Sequence, residues 1–581
     1  MSRTPDRERD PRIRLVTDFD RADRLLFTAL MVFLASQGLF LLYSPDLGLH
    51  LVAGGYTFHN GLPETNVFSP INGEHPLLQH EWAFQIFSYG ITAVAGMQGL
   101  VWMRLVVVLA IGAVLHRTLR PGRGYAAGVA CLALGLFIAH PRFAWSPELF
   151  SMLLLAAEFK LLIDFVEDQS DRLLVLPLIF VVWANVHGYF LAGLIVVGCF
   201  AAGELGEALA RGRDTGRAMR LLRIGVLCAV ATLLNPYHFE GAIYPFRVLI
   251  DLVTVDSHFT TSVAELLPPH TFKGTWAVKA WYPLLVVFCV ASAIQGRRIR
   301  FAYLLTALAI WLMARSTYRN IGFYGMTLGV LAAVQWQTAR PWKSFPLPIA
   351  RFSQWGALAV AVVLLGMAGF VGTNRLYKAE GDQRMFGVGV ASRLDPPARD
   401  FIDEHIPADS QVFNSFDHGS RYLWWFYPER RPFIDGNGAG YPPEFFAEYR
   451  KIIHCRQPFG PFARRHRIGW VYLGLNKPLA RRLYGDPAWH PVFLDGVAIV
   501  LVSQAPEFAK LRRTFDLRVD LARGHIPGWE PTPLPTLLRR TTPHSELVLL
   551  KFLGRIGEQR AVSSVLEHVR KFSPKGVNLG E

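Results

Sequence analysis

The sequence predicts a polytopic α-helical membrane protein of about 11 transmembrane helices with a C-terminal extracytoplasmic α/β domain and a helical tail. Three observations carry that prediction. The 581 residues are 51% hydrophobic and only 18% charged, with a mean hydropathy of +0.26, which is too apolar for an ordinary soluble enzyme. Apolar runs such as "LLFTALMVFLASQGLFLLY" (residues 25–43) and "WGALAVAVVLLGMAGFVG" (residues 355–372) recur along the chain. Each is close to the roughly 20 residues that cross a hydrocarbon core, and a spanning segment must be helical to satisfy its own backbone. After about residue 372 the long apolar runs stop and short mixed segments replace them.

The net charge of +15 is distributed in a way that argues against nucleic acid. Basic residues cluster in short segments between apolar runs, at His116–Arg123, Ala210–Arg223, Gln295–Arg300 and Thr338–Lys343, and the arginine-rich segment 1–23 precedes the first run. These fit cytoplasmic positions under the positive-inside rule, whereas Leu25–Met103 contains no Lys or Arg and should hold an outer loop. Counting crossings between these anchors gives spans near residues 24–43, 97–116, 124–140, 147–165, 172–187, 189–209, 221–235, 278–295, 301–315, 320–337 and 354–372. Residues 81–95 are expected as an interfacial helix, because another crossing there would put His116–Arg123 outside. The first run is read as a retained span and not a cleaved signal. The expected location is therefore the bacterial cytoplasmic membrane, with the N-terminus inside and the C-terminal domain outside. The domains are 1–23 cytoplasmic segment, 24–372 transmembrane domain with a first outer loop at 44–96, 373–504 extracytoplasmic α/β domain, and 505–581 Pro-rich linker and helical hairpin.

In the α/β domain "QVFNSF", "RPFIDG", "WVYLGL" and the hairpin-like "HPVFLDGVAIVLVS" read as strands, and "GSRYLWWF" and "EFFAEYRKII" as helices. The five cysteines form no disulfide framework: Cys131, Cys199, Cys228 and Cys289 fall in or beside apolar spans and Cys455 stands apart. Walker A, GxGxxG, HExxH and CxxC patterns are absent, so a cytoplasmic nucleotide site is not supported.

The polar residues of interest gather in segments expected on the outer side, where loops held by a helical scaffold carry function. Asp46 and His50 are four residues apart, on one face if the segment is helical, and so suited to proton transfer from an acceptor. The alternative is a helix cap at Ser44-Pro45-Asp46 with His50 merely interfacial. Glu64, after Pro63 in a turn, is a further acid that could equally be solvated. His80 and Glu81 begin the interfacial helix, where Glu81 would also suit the positive helix end. Arg142 and Glu148 share a short outer loop, Asn185 and His187 close a helix, and Arg319 and Asn320 open one. Outer arginines run against the positive-inside bias and suit a lipid phosphate, although snorkelling would also account for them.

With these residues in view, the chain resembles the GT-C superfamily of polytopic glycosyltransferases, specifically bacterial polyprenyl-phosphate-sugar-dependent members of unassigned substrate. The resemblance rests on Asp46, "LGLHL", Gly54, Pro63, "NVFS" and "HEWA" in the first outer loop. It continues through "WANVHGYFLAG", "LLNPY", "YRNIGF", "VFNSFDHGSRYLWW" and "RPFIDG", over most of residues 20–500. It implies transfer of a sugar from a polyprenyl-phosphate-linked donor to a glycan, lipid or protein acceptor outside the membrane, usually with inversion, with Asp46 as base. The residues themselves add His50 and Glu64 as candidate catalytic partners of Asp46 and a candidate substrate site drawing on His80, Glu81, Arg142, Glu148, Asn185, His187, Arg319 and Asn320, with membrane lipids around it and no nucleic acid. Two departures from the pattern are Leu47 and Leu49 in place of tryptophans, and Asn66 in place of an aspartate. The second leaves open whether a divalent metal is used. The other readings of the chain are a binding or transport protein for lipid-linked glycans and an assembly partner.

Overall fold

The computed structural model describes residues 11–121, 124–254, 264–272, 274–338, 349–391, 394, 396–529 and 544–570. The first ten residues of the basic leader, Gly122 and Arg123, the basic cluster beyond Thr338 and the Pro-rich linker from Glu530 lie outside the described residues. The N-terminal part is helical: α1 (Pro11–Gly38), α2 (Leu47–Asn60), α3 (Trp82–His116), α4 (Tyr125–Ala139), α5 (Pro147–Val166), α6 (Leu176–Val186), α7 (Phe190–Arg211), α8 (Gly216–Ala231), α9 (His238–Thr254), α10 (Trp276–Gln295), α11 (Phe301–Ser316), α12 (Ile321–Thr338) and α13 (Ile349–Gly372).

A helix stands at each expected span. Among the described residues five segments are long and apolar enough to cross a membrane: Trp82–His116, Tyr125–Arg142, Phe190–Arg211, Trp276–Gln295 and Trp355–Gly372. The chain is a multi-pass membrane protein. Helix α9 was not foreseen, since Pro245 interrupts its apolar pattern and such a residue usually marks a helix break. Residues 81–95 and 97–116, expected as separate helices, run together as α3, but Gly96 leaves helical geometry at φ 63°, ψ −172°. The break falls at the expected junction.

Contacts divide the chain into two compact units, one of Met1–Phe40 with Val101–Leu376 and one of Leu41–Leu100 with Tyr377–Glu581. In the first, α12 is buried on all sides from Ile321 to Gln335, as a helix apolar all round should be. It packs on α4 through glycines: a Cβ on Gly135 would lie 2.2 Å from the Gly325 carbonyl oxygen, and one on Gly325 would lie 2.3 Å from that of Gly135. Small residues allow this backbone approach where lipid supplies no hydrophobic drive. Arg104, the first basic residue after the Lys/Arg-free stretch, is fully buried. Its Nε donates to the Gly38 carbonyl at 2.9 Å, its guanidinium also reaches the Phe40 carbonyl, and it lies over the Phe40 ring at 3.6 Å. It satisfies carbonyls that the end of α1 leaves without helical partners.

The basic clusters after α7 and α10 are tied into ion pairs. Arg300 lies 3.5 Å from Glu167, 3.6 Å from Glu204 and 3.7 Å from Glu207, Arg211 pairs with Glu207 at 2.8 Å, and Arg217 pairs with Asp168 at 2.6 Å. These arginines therefore brace the helix connections.

The second unit joins the first outer loop to the C-terminal half of the chain. Its sheet has the order β1-β2-β4-β3, with β1 (Gln411–Asn414) parallel to β2 (Ile468–Gly474). Strands β3 (Trp489–Leu494) and β4 (Ala498–Ser503) form an antiparallel hairpin, as the sequence predicted. "RPFIDG" is not a strand. The Asn414 side chain takes the place of a ladder partner, accepting from Phe433 N at 2.8 Å and donating to the Ile434 carbonyl at 2.7 Å. After β1 comes α14 (Phe416–Phe426). The tail helices α15 (His544–Ile556) and α16 (Gln559–Arg570) bury Leu549, Leu553, Ala561 and Val565 in the same core as Phe413, Val471 and Leu501. The described tail is thus part of this unit's interior.

Candidate active site

The local sequence around Asp46 sets a helix start without using its carboxylate. Leu47 N bonds to the Ser44 carbonyl at 3.3 Å and His50 N to the Asp46 carbonyl at 3.0 Å, so Asp46 occupies the N-cap position of α2. Its φ of −96° and ψ of 2° depart from the extended backbone usual there, and its side chain makes no capping hydrogen bond. The carboxylate instead accepts from the Ser420 hydroxyl of α14, Oγ to Oδ1 3.4 Å. A Cβ on Gly436 would lie 2.1 Å from the same Oδ1. Helix α2 comes this close because Gly48 lacks a side chain: a Cβ there would meet the Ser420 carbonyl oxygen at 2.2 Å. Leu49, Ala53, Phe68 and Leu77 of the first outer loop share a small core with Leu423 of α14.

One turn beyond Asp46, His50 is buried, with Nδ1 3.8 Å from Glu81 Oε2; His80 Nε2 lies 3.4 Å from Glu81 Oε1. Burial lowers the pKa of His50, and Glu81 opposes that only in part. The ring is therefore neutral at neutral pH and not a cation. The structure brings Asp46, His50, His80 and Glu81 to adjoining positions on α2 and the start of α3. Glu64 is exposed. Its carbonyl accepts from Leu77 N at 3.0 Å, and its carboxylate enters no hydrogen bond or ion pair among the described residues. Asn66 is buried, and its Nδ2 donates to the Gly440 carbonyl at 2.8 Å, a bond an ionised aspartate could not make. Among the described residues no group of three or more His, Cys, Asp or Glu is arranged to hold a metal. The donor set with Asn66 facing a carbonyl does not fit one, and no step below runs through a metal.

The loop that carries Gly436 holds a carboxyl that sequence reasoning did not single out. Asp435 is buried; its Oδ1 accepts from Asn437 N at 2.8 Å, and Oδ2 has no hydrogen-bond partner among the described residues. Burial pushes its pKa up to about 6 despite the opposing bonds from Asn437 and Tyr441. Its only signal in the sequence, and that of Ser420, is membership of "RPFIDG" and "FDHGSRYLWW".

A second cluster lies in the other unit. Arg142 Nε donates to Glu148 Oε1 at 3.0 Å and its Nη2 reaches Glu148 Oε2, while Nη1 pairs with Glu265 at 3.0 Å. Burial opposes ionisation of Glu265, but Arg142 and Arg319 outweigh it and hold this carboxyl well below the usual range. Arg142 is thus held by two carboxylates. Arg319 sits 3.7 Å from Glu148 and its side chain is 37% exposed, against 12% for Arg142. Its guanidinium lies 5.5 Å over the Tyr189 ring. Tyr189 donates to Asn320 Oδ1 at 2.8 Å and stacks between His187 and Phe323. Trp183 Nε1 donates to Ser151 Oγ at 2.8 Å, and Ser151 lies 2.9 Å from His187 Nδ1. Ser151 thus links the Trp183 indole to the His187 ring. Asn185 donates to the Leu234 carbonyl at 2.8 Å and to that of Val181, tying α6 to the end of α8. Five of the predicted residues, Arg142, Glu148, His187, Arg319 and Asn320, meet here around Tyr189 and Glu265; Asn185 serves a backbone tie.

No family model and no curated protein sequence matches the chain. Its likeness is to solved structures. The oligosaccharyltransferase AglB of Archaeoglobus fulgidus, in complex with an inhibitory peptide and a dolichol-phosphate, superposes with a TM-score of 0.56 at 11% identity, covering 95% of this chain and 85% of that one. The apo form of the A. fulgidus oligosaccharyltransferase gives 0.54 at 12% identity over 86% and 78%. ArnT of Cupriavidus metallidurans in its apo state gives 0.50 at 14% identity over 84% and 98%. The chain has the GT-C fold. At these identities the likeness is one of fold alone.

Proposed function

We propose that this GT-C protein transfers a sugar from a polyprenyl-phosphate donor to an acceptor on the outer face of the cytoplasmic membrane. The observation that carries the proposal is the state of Asp46: a carboxylate at the start of α2 that does not cap its helix and is held by Ser420, in a chain whose fold matches AglB bound to dolichol-phosphate. In this reaction Asp46 takes the proton of an acceptor hydroxyl or amine as its oxygen or nitrogen forms a bond to the sugar anomeric carbon. The bond from that carbon to the phosphate oxygen breaks with inversion, and the polyprenyl phosphate leaves with the electron pair. A cation near a leaving phosphate stabilises the charge that grows there, and within its own unit Arg319, more exposed than Arg142, is suited to bind a donor phosphate.

The test is purified protein incubated with labelled polyprenyl-phosphate sugars. Sugar transfer or release is expected. Donor binding without turnover would sink the enzymatic reading in favour of binding or transport, and no binding would sink both. The orientation has its own check: a reporter fused after Gln504 should read as extracytoplasmic, and a cytoplasmic signal would place Asp46 on the wrong side for this chemistry.

A further inference from the structure

Two groups from the C-terminal half of the chain converge on the carboxylate of the first outer loop. The Gly436 N–H donates to Ser420 Oγ at 3.1 Å, and the Ser420 hydroxyl donates to Asp46 Oδ1 at 3.4 Å. The order is fixed: with its lone pairs engaged by a backbone N–H, the hydroxyl turns its one proton to the carboxylate. Ser420 is 1% exposed, so water does not compete for that bond. Gly436 is required by space: its backbone angle is not left-handed, and a Cβ there would lie 2.1 Å from Asp46 Oδ1 and 2.6 Å from Ser420 Oγ. The loop that carries it, Asp435–Tyr441, is pinned at its far end, where Asn66 of the first outer loop donates to the Gly440 carbonyl at 2.8 Å. At its near end Asp435 N–H donates to the Tyr441 hydroxyl at 2.9 Å. The first outer loop therefore clasps this glycine-rich loop at two points, and one of them is Asp46.

We infer that Ser420 and Gly436 are positioning residues for the Asp46 carboxylate, so that proton removal from the acceptor depends on the α/β half of the chain. The inference rests on Asp46 acting as base. The serine proton holds Oδ1 and fixes the direction of the carboxylate. The bond also favours the ionised form that a base needs. The methyl-free face of Gly436 leaves the space in which that direction is possible.

The experiment compares Ser420→Ala, Gly436→Ala and Asp46→Asn for donor affinity and for the pH profile of transfer. Ser420→Ala should bind donor as the parent does, lose about fivefold or more in turnover for one hydrogen bond to a charged group, and move the acid limb of its rate profile to higher pH by about half a unit. A merely structural serine would not move that limb. Gly436→Ala displaces the carboxylate by on the order of 1 Å and should cost about 100-fold in turnover. Should Asp46→Asn lose turnover while Ser420→Ala keeps the parent's rate and pH limb, the positioning role is overturned and the base stands. Should Asp46→Asn itself keep turnover, the base reading fails first and this inference falls with it.

Discussion

Asp46→Asn should bind the polyprenyl-phosphate donor as the parent does and transfer sugar about 100-fold more slowly or worse, the usual size of a general-base contribution. The substitution keeps volume and shape and removes only the ability to take a proton. Because the carboxylate makes no capping bond to α2, the change should not unwind the helix, so the folded, donor-binding state is available for measurement. Single-turnover transfer with bound labelled donor separates the chemical step from binding. His50→Ala should cost less. His50 is a buried neutral ring next to Glu81, which orients its surroundings without exchanging the proton of the reaction. Near-normal turnover in folded Asp46→Asn would remove Asp46 as base and make Glu81 or Glu64 the next acid to test.

The fold was legible because its signals are long and redundant. Each expected span coincides with a helix, and the break between residues 95 and 97 lies at Gly96, where a residue without a side chain can take φ 63°. What failed to read was local. Helix α9 carries Pro245 in its interior, and "RPFIDG" has strand composition, yet its backbone bonds go to the side chains of Asn414, Tyr441 and Ser420 and not to a neighbouring strand. Tertiary context decides such segments. The candidate site was legible by residue type but not by connection. Asp46 and His50 at spacing four predicted a shared helix face; the serine that holds Asp46 lies 374 positions away, and no local pattern encodes that pairing. Asn66 reads in sequence as the loss of an acid, and in the structure it is the donor that ties the first outer loop to Gly440.

Arg142 and Arg319, equivalent in the sequence, should give opposite results on replacement by glutamine. Arg142 is engaged by Glu148 through two nitrogens and by Glu265 through a third contact, so a donor phosphate would have to displace two carboxylates to reach it. Removing its charge leaves buried Glu148 without its main partner. Breaking a buried pair in this way costs about 3–5 kcal/mol, and Arg142→Gln should appear as lowered thermal stability and yield, with donor affinity of the surviving folded fraction little changed. Arg319 sits 3.7 Å from Glu148 and within the field of Glu265, with an aromatic ring beneath it and over a third of its side chain exposed, so a phosphate can reach it without displacing a bidentate carboxylate. Arg319→Gln should leave stability near that of the parent and weaken donor binding by about 1.5–3 kcal/mol, roughly 10- to 150-fold in Kd. Titration of each purified variant with a labelled donor, alongside its melting curve, separates the two. If Arg319→Gln keeps parental donor affinity, the phosphate contact lies elsewhere and Arg319 only packs over Tyr189 at the end of its helix.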